Sequence, residues 1–144
     1  MKYRKYGEAY VLRLEIGEEI ITQLKKFCIE LGIESGKVNG IGVVRNAIIS
    51  YFDLASMEYL HRELIGNMEM TSLMGNISLM EGEPFPHLHV TLADENFQLS
   101  GGHLTSAEIG VTGELTVEPF VGVLERKISQ ENRLNLLALN GEIS

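Results

Sequence analysis

The chain has 144 residues, a net charge of −8 at neutral pH, 44% apolar and 22% charged residues. That length suits one domain able to bury a proper core, and the composition is that of a globular protein rather than a disordered or fibrous one. Twelve Lys and Arg against 20 Asp and Glu argue against a chain-wide phosphate-binding surface.

The single cysteine, Cys28, excludes an intrachain disulfide, which fits a reducing cytoplasm. No apolar run matches a signal peptide or a membrane span, so an intracellular, cytoplasmic protein with no membrane partner is expected.

Met1–Tyr6 reads as a short basic and aromatic lead-in. Over Glu8–Ile16 the apolar Tyr10, Leu12, Leu14 and Ile16 alternate with a mixed face, the pattern of a strand. Gly17–Gly32 is the clearest helix, placed at about residues 18–31. Ile20, Ile21, Leu24, Phe27, Cys28 and Leu31 form one apolar stripe. Glu18 and Glu19 fall at its positive end, and Gly32 suits a left-handed C-terminal residue. Cys28 lies on the stripe, as a packed core thiol.

Lys37–Phe52 reads as two strands, or as one broken around Gly40–Gly42. The Gly-x-Gly here opens no helix, so it signals a bulge or close packing rather than a phosphate loop. After a turn at Asp53–Met57, Tyr59–Ile65 is a strand that exposes His61, and Met68–Met80 is another. Its methionines, Met68, Met70, Met74 and Met80, suit irregular apolar packing.

The stretch Glu83–Leu104, EPFPHLHVTLADENFQLSGGHL, holds three of the four histidines. Pro84 and Pro86 disfavour helix, and LHVTLA has strand character. One face then carries His87, His89, Thr91 and Ala93, and the other carries the core-facing Leu88, Val90 and Leu92. If Glu95, Asn96 and Phe97 form the loop, His103 on the returning strand lies opposite His89 and all three imidazoles share a face. A loop one residue longer turns His103 away, unless a bulge at Gly101–Gly102 absorbs the slip. Three convergent neutral imidazoles would make a first shell for zinc or another divalent transition metal, with one coordination position left open.

Leu104–Val111 has no clear pattern. Gly113–Val123 is a strand in which Pro119 marks an edge or bulge. Glu114 on its polar face is a candidate acceptor for the free N–H of a metal-bound imidazole, or a general base near the histidines. The tail, residues 125–144, turns apolar at Leu134–Leu139, which invites docking on the sheet or on a neighbour. No nucleophile–base pair is visible in the sequence. Seven or eight strands and one major amphipathic helix give an α+β, mainly antiparallel fold in a single domain of 144 residues.

The order of VNGIGVVRNAIISYF, SLMGNISL, GEPFPHLHVTLAD, SGGHL and GELTVEPF resembles the plants-and-prokaryotes conserved (PPC) domain over roughly Glu8–Val123. The resemblance implies an α+β fold with a large antiparallel sheet, a homotrimer, and a histidine cluster at His87, His89 and His103 where a metal could bind. It also implies DNA association, since the plant members carry the domain beside AT-hook motifs. No AT-hook is present in this chain, and the net charge disfavours duplex DNA.

Overall fold

The computed structural model describes residues 1–139. The elements are β1 (Lys2–Tyr6), β2 (Ala9–Glu15), α1 (Ile20–Leu31), β3 (Gly36–Asp53), β4 (Glu58–Met80), β5 (Glu83–Ala93), β6 (Leu99–Pro119), β7 (Glu125–Ile128) and β8 (Asn135–Ala138). The sheet runs β1-β2-β6-β3-β4-β7-β8, and β5 pairs with both β4 and β6. Every pairing is antiparallel except β4 with β7. Because β3 also bridges β4 and β6, strands β3, β4, β5 and β6 close a circuit of hydrogen bonds around the core.

The alternation in β2 is borne out, with Leu12 and Leu14 wholly buried. The lead-in is a strand, however, and Lys2–Tyr6 pairs along its length with Ala9–Arg13. The helix is a small element of 12 residues beside a large sheet, shorter than the major helix expected over 18–31. Glu19 is its N-cap, so the two acidic residues precede the helix. The Glu19 carboxylate accepts hydrogen bonds from the N–H groups of Ile21 and Thr22, which have no partner inside the first turn. Gly32 ends the helix at φ +64°, as its position implied. Ile20, Leu24, Phe27 and Cys28 face the core. Burial pushes the Cys28 thiol up to about 12, which makes it inert at neutral pH.

Strands that looked separate in sequence are continuous. β3 crosses its glycines with register shifts at Gly40/Gly42 and Arg45/Ala47, and β4 runs unbroken through Gly66 and Asn67 with a shift at Met70/Ser72. β6 absorbs the unpatterned Leu104–Val111 and the following strand into one of 21 residues. The bulges let long strands coil enough to close the circuit.

Two glycines fix how closely the strands approach the histidines. A Cβ on Gly75 would overlap the carbonyl oxygen of His87, and one on Gly102 would lie 2.7 Å from the Ser50 carbonyl oxygen. Gly75→Ala must therefore push β5 away from β4 at His87. A loss of about 1–3 kcal/mol is expected, the usual range for overpacking, read as a lower midpoint in urea. An unchanged midpoint would show that the strand yields without strain.

Candidate metal centre

Alternation along β5 sets the first two rings. Leu88, Val90 and Leu92 point into the core, at 0, 4 and 0% exposure, so His87 and His89 lie on the opposite face. The turn sets the third. Asp94 Oδ1 accepts hydrogen bonds from the N–H groups of Asn96 and Gln98 at 2.8 and 2.9 Å, and the Phe97 N–H donates to the Asp94 carbonyl oxygen at 2.9 Å. Phe97 takes the left-handed conformation that closes such a loop, at φ +61°. Glu95, Asn96 and Phe97 are thereby the loop, and His103 stands directly opposite His89. Pairing of β5 with β6 runs through Gly101 and Gly102 without a bulge, so no slip has to be absorbed there.

The ring centroids of His87, His89 and His103 lie 5.1–5.6 Å apart. One nitrogen from each lies within 4.8 Å of the others. His87 and His103 are half-buried and His89 is exposed. His103 Nδ1 is buried with no hydrogen-bond partner among the described residues. An orphaned lone pair or N–H is costly, and rare in native interiors.

Two of the rings, His87 and His103, are held neutral. Burial, then the charge of Arg126 and then the other two rings, pushes His87 down to about 4. Burial, followed by His89, Arg126 and His61, also lowers His103. Neutral imidazole is the form that offers a lone pair to a metal.

Around the rings the structure adds groups that the sequence did not single out. His61 is exposed, as expected, yet it lines the same pocket. Its Nδ1 shares a 2.7 Å hydrogen bond with Ser50 Oγ, which also bonds Thr105 Oγ1 at 2.6 Å. Tyr59 lies over His61 and His103 with centroids 6.4 and 5.6 Å away. These residues come together only because Ser50 pairs with His61 on one side and His103 on the other.

Arg126 is the larger surprise. In sequence it is half of the basic pair Arg126–Lys127, and β7 docks alongside the end of β4 and leaves it 7% exposed. Its Nε–H donates to Ser78 Oγ at 2.9 Å and its Nη1–H to the Asn135 carbonyl oxygen at 2.7 Å. Its Nη2–H groups reach Asn76 Oδ1 at 2.9 Å and His87 Nδ1 at 3.0 Å. Guanidinium can only donate, so Nδ1 of His87 is an acceptor here and the proton of the neutral ring is on Nε2. An ion bound at Nδ1 displaces that hydrogen bond. An ion bound at Nε2 moves the proton to Nδ1, where Arg126 cannot accept it. Either way, metal binding at His87 and the Arg126 contact exclude one another.

Glu114 lies apart from this cluster. It is exposed further along β6, across from Arg13 and Ile41, in a groove with Val11, Asn39 and Met74.

The Plants and Prokaryotes Conserved (PCC) domain matches residues 1–121. A Bacteroides thetaiotaomicron protein described as a candidate DNA-binding protein has 32% identity and a TM-score of 0.91, covering 94% of this chain and 95% of its own. A plant- and prokaryote-conserved protein of Pyrococcus horikoshii shares 38% identity over 93% of each chain, with a TM-score of 0.83. A metal-containing protein of Archaeoglobus fulgidus shares 37% identity over 94% of this chain and 98% of its own, at 0.85. No curated protein matches the chain.

The depressed histidines set a pH dependence. Unfolded, His87 takes up a proton near its ordinary value of 6.5, and folded it does so only near 4. Between those values the unfolded chain binds more protons, so stability is full above the window and is lost as pH falls through it. The melting temperature of metal-free protein should drop across this range, and His87→Asn should flatten the drop. An equally steep profile in that variant would remove His87 as the cause.

Proposed function

This chain belongs to the Plants and Prokaryotes Conserved domain family, and on that footing we propose that it is a metal-binding module. Zinc or another divalent transition metal is held by His87, His89 and His103. The observation that carries the reading is the convergence of one nitrogen from each of the three rings, on one of which, His103, Nδ1 is buried and orphaned. An ion would give such a nitrogen a partner, and the lowered values of His87 and His103 fit that donor set. Such an ion supplies Lewis acidity at its open coordination position. The rest falls to the chain itself. Leu88 and Val90 lock the strand that carries two of the rings, and the Ser50–His61–Thr105 bonds hold two hydroxyls beside them.

The module is proposed to act as a homotrimer, as the family resemblance implies. Val11, Ile41 and Met74 leave 44, 56 and 61% of their surface exposed beside one groove of the sheet, which suits contact with further copies. Glu114 lines that groove, so its part lies with the subunit contact rather than with the ion.

Protein purified without a nickel column should carry about one transition-metal ion per chain, because the three rings make one tridentate site. Elemental analysis measures this. The triple variant His87→Ala, His89→Ala, His103→Ala should lose the ion while keeping its β-sheet circular dichroism. Wild-type protein without stoichiometric metal overturns the reading.

DNA association is a second reading, favoured by the description of the Bacteroides relative. The net charge of −8 and the burial of Arg126 weigh against it. No complex with duplex DNA is expected in a mobility-shift titration at low salt, where phosphate contacts are strongest. A complex that weakens steeply as salt rises would establish the second reading instead.

A further inference from the structure

We propose that the pocket beside the three histidines is a binding site for a small organic carboxylate, gripped by Arg126 and Arg133 of the C-terminal hairpin. The inference rests on the metal reading above and adds what the ion's open side faces.

The pocket encloses about 360 Å³, walled by His87 and His103 on one side and by the β7–β8 hairpin on the other. Among the described residues two arginines line it and no Asp or Glu does. In a chain with 20 acidic and 12 basic side chains, that concentrates the scarcer charge. Arg126 is more than nine-tenths buried, and among the described residues no carboxylate lies within ion-pair distance of it. A buried guanidinium without a counter-charge is unfavourable unless something anionic joins it. A divalent ion on three neutral imidazoles sharpens the demand, since it adds positive charge and brings no carboxylate.

The donor count agrees. Of the five N–H groups of Arg126, four are engaged, on Ser78, Asn135, Asn76 and His87. A metal at His87 releases the last of these, as derived above. One N–H is then free on each terminal nitrogen, the number that a bidentate carboxylate takes. Arg133 adds a second cation at the exposed side. It is held there by a left-handed backbone at φ +59°, uncommon for arginine, and by its N–H on the Ser129 carbonyl oxygen at 2.9 Å.

The remaining walls choose between anions. Phe85, Tyr59, Leu134 and Leu136 line the same space. They suit a short carbon skeleton, and of the four only Tyr59 has a hydroxyl to offer inorganic phosphate. The volume admits on the order of ten water-sized groups, the scale of a short-chain organic acid. Ser50, Thr105 and His61 face it with hydroxyl and imidazole groups able to bond a substituent on that skeleton.

The test is calorimetric titration of zinc-loaded protein with lactate, with its neutral amide lactamide, and with inorganic phosphate. Zinc content is measured on the same samples. Lactate should bind at least about tenfold more tightly than lactamide, the scale of one charge-assisted bidentate contact, and more tightly than phosphate. Arg133→Gln should weaken lactate with zinc content unchanged. Arg126→Met should weaken lactate about tenfold or more while zinc binds more tightly, because a repelling charge and a competing donor are gone. A merely structural role for Arg126 would weaken both, and Arg126→Lys, which keeps the charge, should fall between. Lactamide or phosphate binding as tightly as lactate overturns the carboxylate assignment, as does wild-type lactate affinity in both Arg126→Met and Arg133→Gln. Absence of bound zinc in the wild type overturns the metal reading and this inference with it. Zinc present without discrimination by charge overturns this inference alone.

Discussion

Everything at the candidate centre depends on the register of one hairpin. Side chains alternate across a strand, so a slip of one residue between β5 and β6 would send His103 to the other face. Asp94 prevents the slip. Its carboxylate takes the N–H groups of Asn96 and Gln98 and so fixes a three-residue loop. Its position in the chain, five residues after His89 and nine before His103, then decides that the two rings face each other. The other constraint is burial. Leu88 and Leu92 are wholly enclosed, and neither can leave the core without exposing a large apolar side chain. Turn chemistry and core packing point to the same register, and that agreement between levels is what a well-specified structure shows.

Where the sequence was legible, a short-range rule governed. The stripe on α1, its glycine terminus, the alternation in β2 and the histidine face of β5 follow from periods of 3.6 and 2. Where it was not, a local signal had a tertiary meaning. The glycines near residues 40, 66 and 113 read as ends of strands. In the fold Gly40 marks a place where the backbone of β6 passes too close for a side chain, β4 simply runs through Gly66, and β6 runs through Gly113. The same strands therefore read as twice as many short ones. β1 was missed because its residues are exposed on both faces and carry no alternation. Arg126 was missed for a different reason. Nothing about a Lys or Arg in a polar tail announces burial, and three of its four partners are 39 to 50 residues away in sequence. Glu114 shows the converse case, a suitable side chain that lies far along β6 beside a different groove.

Net charge and local charge also point in different directions here. The chain as a whole is acidic, yet the pocket beside the rings is positive and holds no carboxylate among its lining residues. A whole-molecule field governs long-range encounter, and a buried group governs what is finally held. The acidic exterior weighs against polyanions, which need many contacts over a wide surface. It says little about a small anion that must desolvate only itself. One chain can thus be ill-suited to duplex DNA and still have a cationic interior pocket.

The ring scaffold and the cationic wall come from different parts of the molecule. His87, His89 and His103 lie on strands paired on both sides and anchored in the core, within the stretch that matches the family domain. Arg126 and Arg133 belong to a hairpin beyond that stretch, which meets the sheet at Leu79 and Met80 and through the polar bonds of Arg126 itself. A group that must hold its geometry belongs on rigid, doubly paired strands, and a group that must admit and release a ligand belongs on an edge with fewer contacts. The hydrogen bond between Arg126 and His87 couples the two parts. It forms when the ring's lone pair is free and would break if an ion claimed that ring, so the guanidinium would gain a free donor as the centre gained positive charge. That coupling requires no movement of the sheet. It follows from the donor-only chemistry of arginine and the single exchangeable proton of a neutral imidazole.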